Sequence, residues 1–107
     1  MKQLHPVSLK EWLDDPARKS PLLVDVRESW EYRYCCIEGS TLLPLGQLPQ
    51  RLTELEPEAE IVMICHLGVR SYRAGLILEQ AGFSNVYNLQ GGVEAWARDV
   101  DPAMRKY

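Results

Sequence analysis

No apolar run in this 107-residue chain approaches the roughly 20 residues that a bilayer-spanning helix requires. The opening Met-Lys-Gln-Leu-His-Pro carries no apolar core of the kind a secretion signal needs. Basic runs are missing too. With 12 Lys and Arg against 15 Asp and Glu the formal charge is −3, which gives no electrostatic footing for nucleic acid. The three cysteines are odd in number, which argues against a disulfide framework. His5 and His66 do not complete a zinc ligand set with them, so no metal and no cofactor is expected. There is no internal repeat and no low-complexity segment. These absences predict one domain over 1–107, cytoplasmic, with neither nucleic acid nor membrane as partner.

The residues present alternate between strand and helix signals. Ser8 precedes Leu9, Trp12 and Leu13 and stands three residues before Glu11, which predicts a capping box at the start of a short helix stopped by Pro16. Leu22 to Arg27 reads as a strand buried on both faces, as in a parallel sheet, and Glu28 to Tyr34 as a helical turn or two. Asp25 and Arg27 fall at that strand's carboxyl end, where open α/β sheets place their sites. A supporting role behind the site is expected for both. Cys35 and Cys36 are read as small packing residues, because adjacent cysteines would close a strained ring if joined. Thr41 to Leu43 predicts a short apolar segment. Leu45, Leu48, Leu52 and Leu55 predict a helix, with Pro49 tolerable only in its first turn. Ser84 to Leu89 reads as another strand, Gly91-Gly92 as a tight turn, and Val93 to Arg98 as a last helix anchored by Trp96. Residues 99–107 contain Pro102 and are expected to form a loosely packed tail. The alternation implies an α/β layer fold with a mainly parallel sheet.

The chemistry is expected in the stretch 61–82. The apolar run Ile61 to Ile64 ends at Cys65. After a short loop containing Gly68, a helix pattern follows in Ala74, Ile77, Leu78 and Ala81, with Gly82 as its stop. Loop amides and a helix N-terminus can converge on a point beyond the strand and stabilise an anion there. A cysteine in such a place is suited to nucleophilic work. Gly68 allows close backbone approach, Arg70 supplies a permanent fork of donors for an oxyanion, and Ser71 can cap the helix or add a hydrogen bond. A cation is unfavourable at a helix N-terminus, and an anionic ligand would account for Arg70.

These residues resemble the rhodanese-like sulfurtransferases in their small single-domain form. Asp25-Val26-Arg27, Glu31-Tyr32, Ile37-Glu38-Gly39 and Pro44 are similar to the family's N-terminal signature. Cys65-His66-Leu67-Gly68-Val69-Arg70-Ser71 resembles its active-site loop, and Leu89-Gln90-Gly91-Gly92 through Ala95-Trp96 its last strand-to-helix turn. One departure is Cys35-Cys36, where the family usually has Gly-His. The resemblance implies about five mainly parallel strands flanked by helices. It also implies a nucleophilic Cys65 that takes the outer sulfur of a donor such as thiosulfate and passes it from a persulfide to a thiol or cyanide. It further implies a cradle of amides from His66, Leu67, Gly68, Val69 and Arg70, with Arg70 orienting the anionic donor. His66 itself has at most a minor binding role.

Two other readings stay open. Phosphatases and arsenate reductases on this fold resemble a Cys-x5-Arg pattern, whereas Cys65 to Arg70 is the narrower Cys-x4-Arg. A sulfur-relay or regulatory binding module would carry the same loop, since fold alone does not settle function.

Overall fold

The computed structural model describes all residues from Met1 to Tyr107. Five strands, β1 (Lys2–Leu4), β2 (Leu22–Asp25), β3 (Thr41–Leu42), β4 (Ile61–Ile64) and β5 (Val86–Leu89), form one sheet in the order β1-β5-β4-β2-β3. Every pairing is parallel. The four helices are α1 (Pro6–Asp14), α2 (Ser29–Tyr34), α3 (Val69–Gln80) and α4 (Gly92–Asp99).

The central strand shows why the sequence builds two layers on this sheet. Successive side chains of a strand point to opposite faces. Ile61 and Met63 therefore enter a core with Val24, Val26, Leu48, Ala74 and Leu78, while Val62 and Ile64 enter another with Leu9, Trp12, Leu23, Leu89 and Trp96. All four residues of β4 are fully buried, so its apolar run is continuous rather than alternating. Period two carries on into Cys65, which joins the first core, on the side where α3 packs.

α3 ends as expected at Gly82, whose φ of +97° suits glycine. Gly82 N–H donates to the Glu79 carbonyl at 3.1 Å and Phe83 N–H to the Leu78 carbonyl at 3.1 Å, and Phe83 packs in the same core as Leu78.

Three expectations need correction, and one strand is additional to those expected. α1 begins at Pro6 and is capped by His5, whose Nδ1 accepts from Val7 N–H at 3.1 Å, so Ser8 and Glu11 form no capping box. Proline's fixed φ and missing N–H suit a first helical position, which moves the start upstream of Ser8. The leucines 45, 48, 52 and 55 lie on two 3-10 turns, Leu45–Gln50 and Leu52–Glu54, rather than one helix. Pro49, beyond the first turn, has no N–H for an α-helical bond, and the chain closes shorter turns there instead. Strand β1 was not foreseen; it is a three-residue edge strand paired only with β5 and too polar to signal itself. The segment 99–107 was expected to be loose, yet Met104 packs against the second core and Tyr107 is held by hydrogen bonds and ring contacts. Tail aromatics and cations meet surface partners that local composition does not reveal.

Candidate active site

Strands β4 and β2 are neighbours, but the chain leaves them in opposite directions, β4 to β5 and β2 to β3. Their carboxyl ends form the crevice where parallel α/β sheets hold ligands. Cys65 lies there at the end of β4, and Asp25, Val26 and Arg27 at the end of β2.

Cys65 is buried, with 1% of the residue exposed. Gly68 N–H donates to Sγ at 3.0 Å, and Ser71 Oγ stands 3.2 Å away. Gly68 has φ +98°, a conformation that favours glycine, and a side chain on it would also come within 3.2 Å of Gly91 N. α3 begins with the next residue, so its free N–H end faces the sulfur.

Asn88 supports this arrangement from the same face of β5. Its Nδ2 donates to the Gly68 carbonyl at 3.1 Å and to Gln3 Oε1 at 3.0 Å, which leaves Oδ1 to accept the hydroxyl proton of Ser71. Ser71, fully buried, thus presents a lone pair to Cys65, and the thiol proton can be donated to it.

The loop is also fixed from behind. Val93 N–H donates to the Cys65 carbonyl at 2.9 Å and Glu94 N–H to the His66 carbonyl at 3.1 Å, so the first free N–H groups of α4 are satisfied by the loop. Leu67 and Val69 are 59% and 63% exposed and flank a recess of about 140 Å³ lined with Cys65, His66 and Arg70.

Arg70 does not stand free at this recess. Its two Nη groups donate to both oxygens of Glu31 at 2.7 and 2.9 Å. Glu31 Oε1 also accepts from Glu28 N–H at 3.0 Å, and Oε2 from the Tyr107 hydroxyl at 2.7 Å. The bonds from Arg70 pull the Glu31 carboxyl down to about 2, against the effect of burial, and the same pair raises Arg70 above its usual value. Tyr107 is pushed up to about 12, first by burial and then by donating to Glu31, with Arg27 acting against the rise.

Asp25 and Arg27 are completely buried, so the pair is not a surface ion bridge. Burial works against the charge of Arg27, and bonds to Asp25, Tyr107 and Cys35 more than offset it. Arg27 Nε and Nη2 bind the Asp25 carboxylate, Nη2 also reaches the Cys35 carbonyl at 2.6 Å, and Nη1 donates to Tyr107 Oη at 2.9 Å. His66 stacks on the Tyr107 ring with centroids 4.0 Å apart, and its Nε2 lies 3.4 Å from Glu94 Oε1.

The predicted residues therefore separate into a group around the sulfur (Cys65, Gly68, Ser71), a rim (His66, Leu67, Val69, Arg70) and a buried support (Asp25, Arg27). Sequence reasoning gave no role to Glu31, Asn88 or Tyr107. No three His, Cys, Asp or Glu side chains cluster as a metal site would require, and no helix is long and apolar enough to cross a membrane.

A five-stranded parallel sheet that delivers a cysteine into a glycine-turned loop at a helix N-terminus defines a class of α/β domains, and comparison places the chain within one family of it. The protein belongs to the rhodanese-like domain family, whose model matches residues 5–99. It is 36% identical to a probable adenylyltransferase/sulfurtransferase, MoeZ, of Mycobacterium tuberculosis, over 95% of this chain but only 26% of that protein. The chain thus spans about a quarter of that relative. A sulfurtransferase of Allochromatium vinosum is 36% identical, with 92% of this chain and 90% of the relative covered. The putative sulfurtransferase YtwF of Bacillus subtilis is 31% identical over 95% and 96% of the two chains. Among solved structures, a rhodanese-like domain protein from Staphylococcus aureus superposes with TM-score 0.85 at 28% identity, covering 100% of this chain and 99% of the other.

Proposed function

We propose that the protein is a sulfurtransferase that carries sulfane sulfur on Cys65 from thiosulfate or a similar donor to a thiol or cyanide. The observation that carries this reading is the placement of Cys65 Sγ against Gly68 N–H at 3.0 Å and Ser71 Oγ at 3.2 Å, at the N-terminus of α3. In the first half-reaction the Cys65 thiolate attacks the outer sulfur of thiosulfate. The S–S bond of the donor breaks, its electron pair leaves with sulfite, and a Cys65 persulfide remains. In the second, an acceptor thiolate or cyanide attacks the outer persulfide sulfur and releases the Cys65 thiolate. Two half-reactions through a covalent intermediate give ping-pong kinetics.

The N–H of Gly68 and the end of α3 offer fixed positive partial charge for the anionic persulfide, with no rearrangement of solvent. The recess of about 140 Å³ admits a small donor or the tip of a larger one. Relatives named as sulfurtransferases at 36% and 31% identity support the same reading.

The test is intact-protein mass spectrometry after incubation with thiosulfate, on the reduced wild type and Cys65→Ser. A gain of one sulfur atom in the wild type alone, reversed by a reductant, is expected. No gain in the reduced wild type would rule out thiosulfate as donor, and a gain that survives Cys65→Ser would move the site to Cys35 or Cys36.

A further inference from the structure

The charge expected to receive an anionic donor is already engaged. Both Nη groups of Arg70 lie on Glu31, and each Glu31 oxygen has a second donor, from Glu28 N–H and from Tyr107. Tyr107 is itself held by three rings, although about a third of it is exposed. Its ring lies on His66 at 4.0 Å, with Trp30 and Tyr34 edge-on at 5.7 Å each. Its hydroxyl accepts from Arg27 and donates to Glu31, which completes an alternating row Asp25–Arg27–Tyr107–Glu31–Arg70 with no net charge.

We propose that Tyr107 is a specificity-determining positioning residue, which holds Glu31 on Arg70 and so turns the site away from doubly charged small donors toward donors of lower charge. This rests on the sulfurtransferase reading for its meaning but not for its test. A singly charged donor of the form R–S–S⁻ satisfies it. The Cys65 thiolate bonds to the outer sulfur, the one S–S bond of the donor breaks, and R–S⁻ leaves with the electron pair, so no oxidant is needed. The exposed Leu67 and Val69 beside the recess offer apolar contact to the R group, which thiosulfate lacks.

The direction of the effect follows from Arg27. Nε and Nη2 are spent on Asp25 and the Cys35 carbonyl, so the Tyr107 hydroxyl is the only oxygen that Nη1 reaches, and the Cys35 sulfur lies 3.8 Å away. Without that hydroxyl a buried cationic N–H faces the Glu31 carboxylate across the gap. Two guanidinium groups then compete for Glu31, and Arg70 is released toward the recess.

The experiment compares alkylation of Cys65 by iodoacetate, an anion, with alkylation by neutral iodoacetamide, read by peptide mass spectrometry. The same sulfur attacks the carbon of both reagents and displaces iodide, so any change in its reactivity divides out of their rate ratio. Tyr107→Phe keeps the ring on His66 and removes only the hydroxyl. It is expected to raise the iodoacetate-to-iodoacetamide ratio about three- to ten-fold, the worth of one freed charge interaction at a half-exposed site. Glu31→Gln is expected to raise it further. The ratio of kcat/KM for thiosulfate over methanethiosulfonate, a dianion against a monoanion, is expected to rise in parallel. An alkylation ratio that stays put or falls in Tyr107→Phe overturns the proposal, whatever Glu31→Gln does. A ratio that rises while neither donor loads sulfur on any form supports the Tyr107 assignment and removes the sulfurtransferase reading instead.

Discussion

The carbonyl oxygen of Cys65 occupies the space where a side chain on Gly92 would begin, and the His66 carbonyl fills the rest of it. Gly92 also has φ +61°, so two independent reasons exclude a Cβ there. The contact exists because the N–H groups of Val93 and Glu94 reach the same two carbonyls. The start of α4 is therefore part of the scaffold that holds the nucleophile.

Gly92→Ala is expected to destabilise the protein by at least about 3 kcal/mol, combining left-handed strain with a backbone clash. Gly46→Ala is the control, since a Cβ there meets nothing within 4 Å and no positive φ is involved. Denaturant unfolding of the two variants checks this. Similar midpoints would show that the loop yields to α4 and that the contact is not a constraint.

Glu31 makes part of the stability depend on acid. Its carboxyl sits at about 2 when folded, mainly through its bonds to Arg70, against an ordinary value of 4.5. A depressed carboxyl stabilises the fold fully above the unfolded value and loses that contribution as pH falls toward the folded one. The stability gap between wild type and Glu31→Gln is expected to be about 1–2 kcal/mol at pH 7, reduced from the full linkage value because Arg70 is partly solvated. It should shrink between pH 4.5 and about 2. A gap that is constant over that range would mean the ion pair contributes nothing beyond its hydrogen bonds.

What could be read in the sequence was local. The run Ile61 to Ile64, Gly68 and the pattern to Gly82 are contiguous, and each has a period or turn residue that announces it. The pairs that organise the rest of the site are far apart in the chain. Arg70 and Glu31 are separated by 39 residues, Tyr107 and Glu31 by 76, and Ser71 and Asn88 by 17. Glu31 lay inside a recognised signature but had no visible partner, and Asn88 looked like any polar residue of a strand. A carboxylate near Arg70 was foreseeable in kind, because a cation at a helix N-terminus asks for an anion. From the sequence that anion is expected to be a ligand, whereas in the fold it is Glu31 of α2.

Ser71 joins the stability of the site to its chemistry. It is fully buried, gives its proton to Asn88 and lies 3.2 Å from Cys65 Sγ. Ser71→Ala leaves Asn88 Oδ1 without a partner in the interior, at a cost of about 1–3 kcal/mol in unfolding free energy. The same change removes one of two polar neighbours of the sulfur and keeps Gly68 N–H. Because the Ser71 hydroxyl can turn its proton to Sγ once Cys65 is a thiolate, sulfur loading from thiosulfate is expected to slow about tenfold without being abolished, the loss of one hydrogen bond to a charged intermediate. Mass spectrometry timed over the loading reaction, beside urea unfolding of the same variant, separates the two effects. Unchanged loading with lowered stability would make Ser71 a buttress for Asn88 alone, and complete loss with intact folding would place it beside Cys65 in the chemistry itself.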